Sequence, residues 1–212
     1  MKVKICGIQD KKTALFAINS GADAIGFVFA KSKRKISIEK AKEIAACLPE
    51  SIMKIGVFVN ETKEVLEKTF NEVGLTHLQL HGDESPEFCS SLRYPVIKAI
   101  RIENEKDIEK IEQYDCDYIL LDSPFGKFRG GNGTTFDWKL LIDKDIKREK
   151  LILAGGLNIN NVINACETVN PVMVDVSSGV ETDGNKDLAK ISSFIQIVKI
   201  GGNQYGNLYT SR

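Results

Sequence analysis

Eight short runs rich in β-branched and aromatic residues recur along the 212-residue chain, at 3–6, 24–29, 53–59, 77–80, 96–100, 118–122, 151–154 and 172–176. Between them lie charge-rich segments with apolar residues at helical spacing, among them 39–48, 62–73, 105–113 and 160–166. Runs that stay apolar without alternation suit a parallel sheet covered on both faces, and alternating strand and helix patterns imply βαβ units. Eight such units close into a ring more readily than they spread into an open sheet. The sequence therefore predicts an α/β fold, a single-domain (β/α)8 TIM barrel. A doubly wound open sheet is the alternative. It is disfavoured because Cys6 and Gly7, after the first run, lead into Ile8, Gln9 and Asp10 rather than into a glycine fingerprint.

The length fits one domain at the short end of the barrel range and supports a core that needs no disulfides. The barrel is assigned to residues 1–200, and the polar, glycine-rich 201–212 reads as a C-terminal tail. Lys plus Arg number 29 and Asp plus Glu number 29, so nothing in the net charge attracts nucleic acid or an anionic membrane. The five cysteines, Cys6, Cys47, Cys89, Cys116 and Cys166, are odd in number and widely spaced, a pattern of free thiols in a reducing compartment. The N-terminal MKVKICG carries no long apolar run, and no segment reaches the length of a membrane span. A cytoplasmic location is expected, with a monomer as the default assembly and a homodimer as the alternative.

Two turns then nominate a ligand. Gly155 and Gly156 follow the seventh run, and Ser177, Ser178 and Gly179 follow the eighth. Small residues let backbone N–H groups approach an anion closely. In barrels of this kind the loops after strands 7 and 8, with the N-terminus of a short extra helix, often hold phosphate. The alternative is a pair of ordinary tight turns. Ser37, Asn60, Ser85 and Asn158 are candidate helix N-caps. The irregular segment 123–135 holds four glycines directly after a strand and is expected to be functional.

Strand C-terminal ends face the active site of a barrel, which nominates Cys6, Arg34, Asn60, His81, Arg101, Asp122 and Asp175. Cys6 and Asp122 would project from opposite sides of the ring, placing a base and an acid across one substrate. Each has a plainer alternative: Cys6 as a small buried hydrophobe, Asp122 as the cap of a loop turn. Arg34 lies among Lys31, Lys33 and Lys35, which also reads as a solvated charge run. His81 is either pocket-lining or packed and bonded to backbone, His77 is read as structural, and Asp175 is expected to organise the serine turn by accepting its N–H bonds.

KICG at 4–7, GFVF at 26–29, SKRKIS at 32–37, GVFVN at 56–60 and LQLHG at 78–82 resemble successive strand-end motifs of the phosphoribosylanthranilate isomerase family. The likeness continues in order through LLDS at 120–123, GGNGTTFDW at 130–138, LAGGL at 153–157, and DVSSGVE at 175–181 followed by Lys186 and Asp187. Asn132 departs from the Ser or Thr that relatives often carry in the glycine loop. The resemblance implies a cofactor-free and metal-free Amadori rearrangement of N-(5-phosphoribosyl)anthranilate in tryptophan biosynthesis. It implies Asp122 as general acid, Cys6 as thiolate base, and Arg34 as the fork that pairs with the anthranilate carboxylate; His81 and Asp175, nominated by their strand-end positions, are taken as further substrate contacts. Lys4 is the expected helper in lowering the thiol pKa. A related isomerase of the histidine pathway would carry a carboxylate where Cys6 stands. A barrel that only binds a phosphorylated metabolite would not need both Cys6 and Asp122.

Overall fold

The apolar runs become eight parallel strands that pair in chain order: β1 (Lys2–Cys6), β2 (Ala24–Val28), β3 (Met53–Phe58), β4 (His77–Leu80), β5 (Val96–Arg101), β6 (Tyr118–Asp122), β7 (Leu151–Leu153) and β8 (Met173–Val176). In this computed structural model, which describes residues 1–123 and 135–209, β8 returns to β1 through the pairs Val3↔Val174 and Lys4↔Asp175 and closes the ring. Closure excludes the open doubly wound sheet.

Helices α1 (Lys11–Asn19), α2 (Ile38–Ala45), α3 (Lys63–Val73), α4 (Pro86–Ser90), α5 (Glu105–Glu109), α6 (Val162–Val169) and α7 (Leu188–Tyr209) cover the outside. Their starts follow local chemistry. Asp10, Ser37, Thr62 and Ser85 each accept a backbone N–H from the first turn of α1, α2, α3 and α4. Asn60 and Asn158 are therefore not caps as expected. Thr62 caps α3, while the Asn60 side chain accepts the Asp83 N–H, and α6 starts after Asn161 with no side-chain cap. Between β6 and β7 the described residues supply only the 3-10 turns Trp138–Leu141 and Arg148–Lys150. The backbone of α7 continues helically through Tyr209, past the residue 200 where composition ended the barrel. The polar, glycine-rich composition from 201 onward reads as a tail, but Gly201 and Gly202 weaken a helix by only about 1 kcal/mol each relative to Ala, which does not by itself forbid one. None of the described helices is long and apolar enough to cross a membrane.

The pleat divides the strand residues into two sets. Val3 and Ile5 of β1 and Leu121 of β6 point outward into the core shared with the helices. Ala24, Ile55, Ile97, Leu120, Ile152 and Met173 fill the barrel interior. One parity thus carries Lys4 and Cys6 inward on β1, Leu120 and Asp122 on β6, and Met173 and Asp175 on β8. Gly26 of β2 makes room for the first pair, since a Cβ there would come within 2.8 Å of the Cys6 Sγ and 3.1 Å of the Lys4 Cε.

Candidate active site

The interior is apolar toward the strand N-terminal ends and opens at the C-terminal ends into a cavity of about 500 Å³. Cys6, Arg34, His81, Asp122, Gly155, Gly156, Asp175, Ser177 and Ser178 all line it. Six strand ends, distant in sequence, therefore contribute nine of the expected residues to one space. Gly179 does not line it. That glycine packs on the Leu157 carbonyl, where a Cβ would collide, and so holds the turn after β8 against the turn after β7. Gly155 and Gly156 adopt φ +83° and +63°, a left-handed conformation that suits glycine and turns the chain sharply at the cavity rim.

Cys6 and Asp122 face the cavity from β1 and β6. Asp122 is fixed at both oxygens: Oδ1 accepts the Ser123 backbone N–H at 2.8 Å, and Oδ2 lies 3.1 Å from His81 Nε2. The Lys4 ammonium, fully buried, donates to Asp175 Oδ2 at 2.9 Å and to Gln79 Oε1 at 2.8 Å. Burial opposes the charge on Lys4, but Asp175 and the adjacent Cys6 outweigh it and hold the ammonium above its ordinary pKa.

The thiol departs from expectation. Burial pushes the Cys6 pKa up, and Asp175 adds to the rise; Lys4 and Lys186 pull the other way without cancelling it. Lys4 thus acts in the expected direction, but the net shift is upward because burial, with Asp175 added to it, outweighs the two cations. Asp175 itself is not organised around the serine turn. Its Oδ2 takes Lys4, and its Oδ1 is buried with no hydrogen-bond partner among the described residues. The serine turn is held instead by Lys186, whose Nζ donates to the Ser177 carbonyl at 2.9 Å, and by the Ser177 hydroxyl donating to the Cys6 carbonyl at 3.1 Å.

Arg34 is not part of a solvated charge run: it is buried and lies across Gly7. Its Nε and Nη2 donate to the two oxygens of Glu181 at 2.6 and 2.8 Å. Two of its five N–H donors are engaged among the described residues, leaving three of the guanidinium N–H groups without a partner there. Glu181 also accepts Lys186 Nζ at 2.9 Å. Burial works against the Glu181 carboxylate, yet Arg34 and Lys186 together bring its pKa below the ordinary value. Gln79, Glu181 and Lys186 thus belong to the site although residue chemistry did not single them out. Gln79 offered one signal, sitting two residues before His81 and hence on the same strand face. Arg101 ends β5 and faces a neighbouring recess instead, and Asn60 serves the adjoining loop. The glycine segment, including Asn132, lies outside the described residues for 124–134.

Residues 3–197 match the family model described as N-(5′-phosphoribosyl)anthranilate (PRA) isomerase. The chain belongs to that family. It is similar to the N-(5′-phosphoribosyl)anthranilate isomerase of Bacillus mycoides (strain KBAB4), 58% identical over 200 residues that cover 94% of this chain and 98% of the relative. Monomers of the dimeric phosphoribosylanthranilate isomerase of Thermotoga maritima superpose with a TM-score of 0.85 at 43% identity, covering 94% of this chain and 98% of theirs. A phosphoribosylanthranilate isomerase in complex with reduced 1-(o-carboxyphenylamino)-1-deoxyribulose 5-phosphate superposes with a TM-score of 0.83 at 43% identity and the same coverage. The resemblance read from the strand-end motifs thus extends to the whole barrel.

Proposed function

We propose that this chain isomerises N-(5′-phosphoribosyl)anthranilate to 1-(2-carboxyphenylamino)-1-deoxyribulose 5-phosphate, a step of tryptophan biosynthesis. The observation that carries the reading is one cavity holding Cys6 and Asp122 on facing strands, glycine and serine turns on one flank and Arg34 on another. Backbone N–H groups of Gly155, Gly156, Ser177 and Ser178 suit the phosphate, with Gly179 holding the two turns together. The remaining donors of Arg34 suit a carboxylate, and Val28, Phe29 and Val57, which line the same cavity, suit an aromatic ring.

In the reaction, the Asp122 carboxyl gives its proton to the ribose ring oxygen as the C1–O bond breaks, leaving an open-chain iminium ion. Positive charge on that nitrogen acidifies the C2 proton, which Cys6 removes as thiolate, and the resulting enolamine ketonises to product. The iminium charge, with Lys4 and Lys186, favours the thiolate against the burial that raises the Cys6 pKa. Asp175 Oδ1 is an acceptor suited to a ribose hydroxyl. No step calls for a metal or a nicotinamide. The reading keeps residues 1–200 as the catalytic barrel and 201–212 outside the chemistry, in a cytoplasmic enzyme that works as a monomer; sedimentation analysis distinguishes that from a dimer.

Loss of phosphoribosylanthranilate fluorescence, with chromatographic identification of the ketose product, tests the reaction. Stable fluorescence in the presence of wild-type protein overturns it.

A further inference from the structure

Polar side chains in the upper barrel interior form an unbroken line from β8 across to β6. Asp175 takes Lys4, Lys4 donates to Gln79 Oε1, Gln79 Nε2 lies 2.9 Å from His81 Nδ1, and His81 Nε2 lies 3.1 Å from Asp122 Oδ2. Every link in this line has one permitted direction. An ammonium only donates, so the glutamine oxygen must face Lys4. The reversed amide would set an NH2 group against a fully buried ammonium, where water cannot compensate. Gln79 Nε2 therefore points at His81, and it too only donates. His81 Nδ1 must accept, so an uncharged ring carries its hydrogen on Nε2 and presents it to Asp122.

We propose that Gln79 is a positioning residue for the isomerisation: through Lys4 it fixes the Nε2–H tautomer of His81, which in turn holds the Asp122 carboxyl in its working orientation. The inference rests on the reading of Asp122 as general acid. With Oδ2 held by His81 and Oδ1 by the Ser123 N–H, one lone-pair site is left on each oxygen of a group that lines the cavity. Those sites are where the acid proton resides and from which it leaves. His81 is thereby a support of the acid rather than a substrate contact, and Lys4 is the hub that joins the acid's support to the Cys6 side of the cavity.

Gln79→Glu inverts the logic with little change of shape. A carboxylate accepts from Lys4 and from His81 alike, so the ring hydrogen moves onto Nδ1. The chain has two histidines, so imidazole nitrogen NMR of the labelled full-length protein contains two rings, and His77→Gln assigns them. In wild-type protein, His81 Nδ1 should resonate as a pyridine-like nitrogen and Nε2 as a pyrrole-like one; in Gln79→Glu, Nδ1 should become pyrrole-like. The same variant should lose about 10- to 100-fold in kcat, the scale of a misplaced catalytic group, with KM little changed. A wild-type ring protonated on Nδ1 overturns the inference without any variant having to fold. So does Gln79→Glu with wild-type kcat. An inactive Asp122→Asn enzyme alongside an Nδ1–H wild-type ring would remove the role of Gln79 and leave the proposed function standing.

Discussion

Two lysines of this barrel are buried beside a carboxylate, and they lead different lives. Lys98 of β5 pairs with Glu84 at 2.6 Å and donates to the Gly82 carbonyl at 2.8 Å; Glu84 in turn accepts the backbone N–H groups of Asn60 and Gly82 at 2.8 and 2.9 Å. Both oxygens of that carboxylate are satisfied, and the pair staples the loops after β3 and β4. Lys4 pairs with Asp175 at 2.9 Å, but Asp175 Oδ1 is left without a hydrogen bond among the described residues, and the remaining reach of Lys4 goes to Gln79 and Cys6. Strand parity makes the difference. Lys98 lies between the inward-facing Ile97 and Ala99 and so points outward beneath the loops, whereas Lys4 points into the ring. Burying an ion pair is expensive in either place. Where every lone pair is met the pair serves stability, and where one is left beside a cavity it is available to a ligand.

Variants at the two ends of this contrast should fail in different ways. Cys6→Ser and Asp122→Asn, at the cavity, should cut kcat by about 10² to 10⁴ with KM and the urea midpoint nearly unchanged; near-normal turnover in either would remove that residue from the mechanism. Lys98→Met should do the opposite. Leaving Glu84 buried without its cation should destabilise the fold by about 3 to 5 kcal/mol in urea unfolding, while the folded fraction turns over normally. Equal stability would mean that the staple contributes only shape.

Arg34→Ala removes the donors assigned to the substrate carboxylate and should raise KM about 10- to 100-fold, as loss of a charged hydrogen bond of about 1.5 to 3 kcal/mol implies. A change confined to kcat would point instead to Glu181 and to the Lys186 ammonium it also accepts. Lys4→Met sharpens the comparison through Cys6 itself. Lys4 lowers the thiol pKa and Asp175 raises it, so removing the cation should move the onset of iodoacetamide alkylation of Cys6 to higher pH than in wild type. An onset at the same or lower pH would show that Lys4 does not act on the thiol. The smallest effect belongs to Ser178→Ala. If backbone N–H groups hold the phosphate, the loss should be about 1 kcal/mol or less in ligand affinity.

The cavity's residue types were legible in the chain because a strand end announces itself: an apolar run stops at Cys6, at Asp122, or in glycine and serine, and the ring places every such end on one rim. Partnerships were less legible. Arg34 reads as one of several neighbouring cations until Glu181, 147 positions later, is found filling half of its fork. Asp175 reads as the keeper of the turn that follows it, because local side-chain-to-backbone bonds are what a linear reading can see, yet its partner lies 171 positions away.

By itself, then, the sequence determined the alternation of strand and helix, the inward parity of Lys4, Cys6, Gln79, His81, Asp122 and Asp175, and the small residues at the glycine turn after β7 and the serine turn after β8, since all of these follow from periodicities and steric limits within a few residues. Only the closed ring decided that Lys4 would meet Gln79 across the interior, that Gln79 would face His81 with its amide nitrogen, and that the Cys6 thiol would sit deep enough for burial to outweigh its neighbouring cations. Hydrogen-bond direction and desolvation depend on distances of a few ångströms between strands that closure brings together, and no spacing along the chain encodes those distances.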